Sequence, residues 1–206
     1  MLDRLKNIGV VERYLPEECY SGRPLPVIHG MVTHGFSAKN IDHGFRFDED
    51  LCWELMRDLN YPKDERKYTY QRDKDPDDRA YASAHFMFHR NGDCEITVPL
   101  DKQAYHAGAS EWKGLVGLNQ YFLGSEFIGA EGEDYTDDQY IMGGMVYAIV
   151  MNYHGLTMDD IPGHYQVSPG RKTDPWPKTD TKGGWDWDRF RNEIEQHLMD
   201  EYESAS

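Results

Sequence analysis

Three side chains that could do chemistry together lie within one short segment, residues 163–175. They are His164, Lys172 and Asp174. A neutral imidazole nitrogen and a carboxylate oxygen both suit Zn²⁺, and an ammonium group can stabilise an oxyanion. Bound zinc lowers the pKa of a water ligand from about 15.7 to about 7, so such a site would supply hydroxide at neutral pH. A catalytic zinc takes three protein ligands, and this segment offers two. The alternative is that His164 and Asp174 form a solvated pair in a surface loop.

The same segment is rich in residues that interrupt regular structure. Pro162, Gly163, Pro169, Gly170 and Pro175 break any continuous helix or strand, so the pattern predicts a loop. The polar groups on this loop must be held in place by the fold around it.

Two buried strands are predicted to present further polar side chains. The apolar run 26–32 indicates a strand with His29 near its carboxyl end, where a side chain can face a cleft. Residues 122–128 indicate a second strand that carries Glu126. A charged residue within such a run is unusual unless it meets a partner or a cleft.

The remaining pattern alternates helices with strands. Leucines every fourth residue predict a core-packing helix over 48–60, and apolar spacing predicts helices over 137–154, stopped by Gly155, and over 185–202. Two apolar runs around Asn91-Gly92 predict a hairpin. Residues 61–79 are charged and contain proline, so they predict an exposed connection. Strands mixed with helices predict an α/β or α+β domain on a central mixed sheet.

Length and charge narrow the function classes. At 206 residues and 39% hydrophobic content, the chain is expected to form one domain over 1–206. It lacks an apolar run near the about 18 residues of a membrane span. A formal net charge of −15 excludes a typical nucleic-acid partner, because phosphate binding needs a basic surface. We expect a monomer.

The cysteines and the first residues indicate the compartment. Cys19, Cys52 and Cys94 are odd in number and form no Cys-x-x-Cys pair, which disfavours both a disulfide framework and a thiolate zinc site. The amino-terminal residues 1–7 lack the features of a signal peptide, so a cytoplasmic location is expected.

Motifs along most of the chain carry a family resemblance. They are Val27-Ile28-His29, Ser83-Ala84-His85-Phe86, Val98-Pro99-Leu100-Asp101-Lys102, Tyr105-His106-Ala107-Gly108, residues 119–126, Tyr135-Thr136-Asp137-Asp138-Gln139-Tyr140, residues 163–175 and Asp186-Trp187-Asp188-Arg189-Phe190. In this order they resemble the zinc-dependent N-acetylmuramoyl-L-alanine amidases of the AmpD and peptidoglycan-recognition-protein superfamily. The resemblance implies the amidase fold of that superfamily.

The resemblance also implies a ligand set and a mechanism. His29, His164 and Asp174 would bind one Zn²⁺ per chain, although His34 and His43 are also possible ligands by residue type. Glu126 would be the general base, and Lys172 would stabilise the oxyanion together with zinc. The bond cut would be the amide between N-acetylmuramic acid and L-alanine, in peptidoglycan or in muropeptides.

Three further positions match residues that line the substrate cleft in the family. They are Tyr105, His106 and Asn119. The competing interpretation is structural, since a tyrosine beside a turn can simply pack and a loop asparagine often satisfies nearby backbone groups.

Some alternatives stay open at this point. A non-catalytic peptidoglycan-binding module on the same fold is the second functional hypothesis, and within the enzyme class the chain could serve cytosolic recycling or be a phage lysin. Trp176 stands where the family usually has glycine, and the apolar Leu115-Val116-Gly117-Leu118 replaces a polar loop of the recycling members. Both departures bear on substrate preference.

Overall fold

The structure is a computed structural model that describes residues 1–37, 49–67 and 81–205. The α-helices in these ranges are α1 (Leu2–Asn7), α2 (Glu49–Asp58), α3 (Asp137–His154), α4 (His164–Val167) and α5 (Trp187–Ala205). The strands are β1 (Val11–Glu12), β2 (Ser21–Pro24), β3 (Gly30–Phe36), β4 (Phe86–Phe88), β5 (Cys94–Ile96), β6 (Lys102–Gln103), β7 (Glu111–Trp112), β8 (Leu115–Val116) and β9 (Phe122–Ile128). Short 3₁₀ helices lie at Glu17–Cys19, Lys63–Glu65, Leu118–Gln120 and Met158–Asp160.

A five-stranded mixed sheet in the order β1-β5-β4-β9-β3 forms the centre of the fold. Strand β9 runs parallel to β3 on one side and to β4 on the other, while β4 and β5 form an antiparallel hairpin. The β3–β9 register pairs Gly30 with Phe122 and Phe36 with Ile128. The expected central mixed sheet flanked by helices is therefore confirmed.

Side chains of the two longest strands, β3 and β9, alternate between the two faces of the sheet, and one of these faces packs into the main core. Odd-numbered Met31, Leu123 and Phe127 join the main core, where the aromatic rings of Phe88 and Phe127 stack at 4.2 Å. Helices α3 and α5 cover this face with Tyr147 and Phe190, and Trp185, just before α5, packs against Phe190. The even-numbered residues of β3 and β9 point to the opposite face, where the polar groups collect.

Helix α3 begins and ends where its sequence predicts. Thr136 accepts a hydrogen bond from the Gln139 backbone N–H at 3.2 Å, and the Gln139 side chain accepts one from the Thr136 backbone N–H. Gln139 also donates to the carbonyls of Phe88 and Ile128, which ties the helix start to the sheet. At the other end Gly155 adopts a left-handed conformation with φ 68°.

The predicted hairpin, the strand over 122–128 and the three long helices all form, with shifts of a few residues at their ends. The strand expected over 26–32 is misplaced, because β3 runs from Gly30 to Phe36. Its polar residues Thr33 and His34 are fully buried, and Thr33 shares a hydrogen bond with Tyr147 of α3. Residues 68–79 of the expected connection lie outside the described ranges.

The segment predicted as a loop, 163–175, contains the single-turn helix α4. The Gln166 side chain accepts a hydrogen bond from the Gly163 backbone N–H at 2.8 Å, and this contact fixes the first turn. Across the parts of the chain that the structure describes, none of the helices combines the length and apolar character that crossing a lipid bilayer requires.

We expect the capping box of α3 to contribute measurably to stability. Replacing Thr136 by alanine removes the acceptor for Gln139 and a hydroxyl that donates to the Arg90 carbonyl at 2.8 Å. T136A should lower the free energy of unfolding by about 1 to 2 kcal/mol in urea titrations. T136S keeps the hydroxyl and should stay close to wild type, and an equal loss in both variants would contradict this role.

Candidate metal centre

Two neighbouring strands bring a histidine and a glutamate side by side. His34 on β3 and Glu126 on β9 are directly paired in the parallel register. Both are even-numbered, so their side chains leave the sheet on the face opposite helices α3 and α5. The side chain of His34 is only 1% exposed.

The segment 163–175 docks against the edge of the same strand. The Thr33 backbone N–H donates to the Pro162 carbonyl at 2.9 Å, and Gly163 forms a parallel bridge with Thr33. His164, the first residue of α4, is therefore placed beside His34. The Tyr165 N–H donates to the carbonyl of Asp174 at 2.9 Å, which folds the segment back and brings the Asp174 carboxylate to both imidazoles.

Three potential ligand atoms converge at this point. The Nδ1 atoms of His34 and His164 are 2.8 Å apart, and Asp174 Oδ2 lies 3.0 Å from the His164 nitrogen and 3.4 Å from the His34 nitrogen. Ligands at 2.0 to 2.1 Å around a tetrahedral zinc would be about 3.3 Å from one another. The trio therefore has the composition and nearly the dimensions of a zinc site.

The protonation of these imidazoles suits a metal. Burial, and after it the neighbouring His164, lower the pKa of His34 to about 4, so the ring is neutral at pH 7. His164 Nε2 lies 3.3 Å from the carbonyl oxygen of Ala107, which can only accept a hydrogen bond. In the tautomer in which His164 donates to this oxygen through Nε2, its Nδ1 keeps a lone pair, and that is the form that binds metal.

Glu126 has the properties of a general base beside this trio. Glu126 as a whole is partly exposed, but its Oε2 atom is buried. This atom has no hydrogen-bond partner among the residues that the structure describes. Burial and the charge of Asp174 raise the pKa of Glu126 to about 8, and Lys172 opposes that rise. Lys172 also helps to lower the pKa of His34, so its ammonium group acts on both residues.

The assignment of His29 as the strand ligand needs correction, because the structure brings His34 to this position instead. His29 is exposed and precedes β3, with its N–H bonded to the Tyr121 carbonyl and its ring 5.9 Å from the Tyr121 ring. Five extended residues span about 16 Å, and an odd separation reverses the face of the strand. One sequence signal could have indicated His34: the predicted strand over 26–32 can be continued through Val32-Thr33-His34. The third alternative, His43, lies outside the described residues.

The three predicted cleft residues occupy different environments. Tyr105 is partly buried, its backbone pairs with Ser83, and its ring lies 5.7 Å from that of Tyr81. Asn119 Oδ1 accepts hydrogen bonds from the backbone N–H groups of His106 at 3.1 Å and Ala107 at 2.7 Å. His106 is buried behind His34, with its Nδ1 3.0 Å from His34 Nε2. The contacts of Asn119 and His106 are thus with the protein itself.

Arg171 is a residue at the site that sequence reasoning did not single out. Its guanidinium donates to the carbonyls of Ala107 and Ala109, at 2.6 and 3.0 Å, and to the Ser168 hydroxyl at 2.7 Å. It thereby joins the segment after α4 to the loop that contacts His164. Nothing in its spacing distinguishes it from a solvated arginine beside Lys172.

Comparisons with known proteins agree with this geometry. The family model Amidase_2, described as N-acetylmuramoyl-L-alanine amidase, matches residues 49–177, more than half of the chain. The match includes Glu126, His164, Lys172 and Asp174, and it begins after β3.

Individual relatives are similar over different lengths. The 1,6-anhydro-N-acetylmuramyl-L-alanine amidase AmpD of Salmonella typhimurium strain SL1344 is 37% identical over 109 residues, which are 53% of this chain and 55% of that protein. The aligned part of the chain thus spans about half the length of this curated relative. In the solution structure of Citrobacter freundii AmpD, 90% of each chain superposes with a TM-score of 0.57 and 27% identity. A crystal structure of a selenomethionine AmpD derivative, at 24% identity, shares the fold with a TM-score of 0.67 over 90% of this chain and 94% of that one. The chain belongs to the N-acetylmuramoyl-L-alanine amidase family described by Amidase_2.

Proposed function

We propose that this protein is a zinc-dependent amidase that hydrolyses the bond between N-acetylmuramic acid and L-alanine. The observation that carries the proposal is the convergence of His34, His164 and Asp174 through three ligand atoms within 3.4 Å of one another. The described ranges serve as one catalytic domain, because the sheet, α3 and α5 share a single main core.

The donor set fits zinc better than the other common metals. Two imidazole nitrogens and one carboxylate oxygen are a frequent catalytic zinc set, which leaves a fourth position for water or substrate. Magnesium and calcium prefer oxygen ligands. Zinc bound by these residues would supply a Lewis acid that activates water and polarises the substrate carbonyl.

Glu126 and Lys172 would divide the remaining work. The Glu126 carboxylate would take a proton from the attacking water and return it to the leaving amine of L-alanine. The ammonium group of Lys172 offsets the negative charge that develops on the carbonyl oxygen as the amide is attacked.

The substrate class follows from the relatives. Since the AmpD proteins that match this chain are named 1,6-anhydro-N-acetylmuramyl-L-alanine amidases, we propose soluble anhydro-muropeptides as the substrate. Mass spectrometry of products from anhydro-muropeptides and from intact sacculi tests this choice. Faster release of peptide from sacculi would instead favour a lytic role, and tight binding without cleavage in the presence of zinc would favour the non-catalytic binding module.

Zinc binding should depend on His34 and not on His29. We expect H34A to bind Zn²⁺ more than about 100-fold more weakly than wild type in competition titrations with a chromophoric chelator, since even an outer contact to a ligand is worth 10- to 100-fold. H29A, at the residue just before β3, is the matched control and should bind zinc like wild type. Weak zinc binding by H29A together with wild-type binding by H34A would instead identify His29 as the ligand.

Glu126 should be required for turnover and not for metal binding. E126Q keeps the size of the side chain but cannot accept a proton, so kcat should fall by about 10² to 10⁴ while zinc affinity is retained. E131Q, at an exposed glutamate in the following loop, should leave turnover unchanged. Full activity of E126Q would assign the base to another group.

The raised pKa of Glu126 should also appear in the stability of the metal-free protein. Between its ordinary value of 4.5 and about 8, the folded protein keeps a proton that the unfolded chain releases, so stability is lost as the pH rises. The free energy of unfolding of wild type relative to E126Q should fall by up to about 1.4 kcal/mol per pH unit across this window. The measurement is the free energy of unfolding of both proteins against pH, in the presence of a metal chelator. The same pH dependence in wild type and E126Q would contradict a raised pKa of Glu126.

A further inference from the structure

A second histidine lies directly behind the strand histidine of the trio. His34 Nε2 is 3.0 Å from His106 Nδ1, and His106 Nε2 is 3.0 Å from the backbone carbonyl oxygen of Phe122. His34 and His106 are 1% and 8% exposed. The two rings and the carbonyl therefore form a continuous hydrogen-bonded chain away from solvent.

The direction of every hydrogen bond in this chain follows from its last member. A carbonyl oxygen can only accept, so His106 carries its proton on Nε2. In a neutral ring His106 Nδ1 must then be an acceptor, and the proton between the two rings belongs to His34 Nε2. His34 Nδ1 is left with a free lone pair, and this is the atom that faces His164 and Asp174.

The surroundings of His106 hold it in this position. Strand β9 has glycine at 124, where a Cβ atom would lie 2.5 to 2.8 Å from atoms of the His106 side chain. Asn119 fixes the backbone on the other side by accepting from the N–H groups of His106 and Ala107. The carbonyl oxygen of Ala107 in turn lies 3.3 Å from His164 Nε2, which is also 3.4 Å from a guanidinium nitrogen of Arg171. The His106 side chain is thus held between Gly124 of β9 and the backbone that Asn119 fixes, with its ring against His34.

We propose that His106 is a positioning residue, which orients the His34 ring and holds it in the tautomer that presents Nδ1 to the metal. This inference rests on the proposed zinc site. It replaces the expected contact of His106 with substrate, because both ring nitrogens of His106 are engaged with the protein.

Zinc titration of two variants separates this role from simple packing. H106F keeps a buried ring and loses the acceptor, so its Zn²⁺ affinity should be about 10- to 100-fold weaker than that of wild type. H106N places an amide oxygen near the position of Nδ1 and should recover most of that loss. Equal affinity in H106F and wild type, or equal weakening in H106N and H106F, would overturn the proposal.

His85 provides the matched control. It is equally buried, accepts from the Gly124 N–H through Nδ1, and its Nε2 lies 2.8 Å from the Lys102 carbonyl, while its ring lies 6.0 Å from that of His106. H85F removes a buried imidazole that does not bond His34, so zinc affinity should stay at the wild-type level. A loss in H85F as large as that in H106F would mean that both act through general destabilisation, and would overturn the proposal.

A spectroscopic test needs no variant. Long-range ¹H–¹⁵N spectra of the metal-free full chain should show His34 and His106 as neutral rings protonated at Nε2. Protonation of His34 at Nδ1 in that spectrum would overturn the proposal even if H106F failed to fold. Failure of the proposed function gives a different result, namely a zinc-loaded wild type that leaves muropeptides uncut while both tautomers are as expected.

Discussion

The parallel pairing of β3 with β9 is the constraint on which the site depends. In this register His34 lies opposite Glu126, so a candidate metal ligand and a carboxylate share one face of the sheet. The other face of both strands is occupied by Leu123, Phe127 and the residues of α3 and α5. Because side chains alternate strictly along a strand, a shift of one residue would move His34 into that apolar core.

The buried histidines help to fix the register between β3 and β9, and they also supply the polar atoms of the candidate metal site. A buried imidazole without partners costs free energy, and here His34 Nε2 and both ring nitrogens of His106 have hydrogen-bond partners. The three ligand atoms of the trio face one another, and the tautomer inferred above leaves His34 Nδ1 with a lone pair. Acceptor atoms this close together are most favourable around a cation. The hydrogen bonds that satisfy the ring nitrogens facing away from the trio therefore also favour the proposed metal site.

The segment 163–175 contributes chemistry because the rest of the fold holds it. Backbone bonds to Thr33 place His164, a turn closed by Tyr165 returns Asp174, and Arg171 fastens the segment to the carbonyls of Ala107 and Ala109. Lys172 is carried into the site by this fold-back. Membership of the amidase family and the shared fold of the AmpD structures are consistent with a scaffold that serves hydrolysis.

The sequence by itself determined the class of fold, the bounds of β9 and α3, and the two candidate ligands of residues 163–175. Those features depend on local signals: an apolar run, a capping box with a terminal glycine, and residue types that suit zinc. Tertiary structure decided which histidine of the 26–36 region joins the site and what His106 and Asn119 do. Composition marks both His29 and His34 as possible ligands, and only strand pairing shows that His29 is exposed while His34 lies against His164. Burial and hydrogen-bond direction are properties of residues far apart in the chain, so local spacing could not supply them.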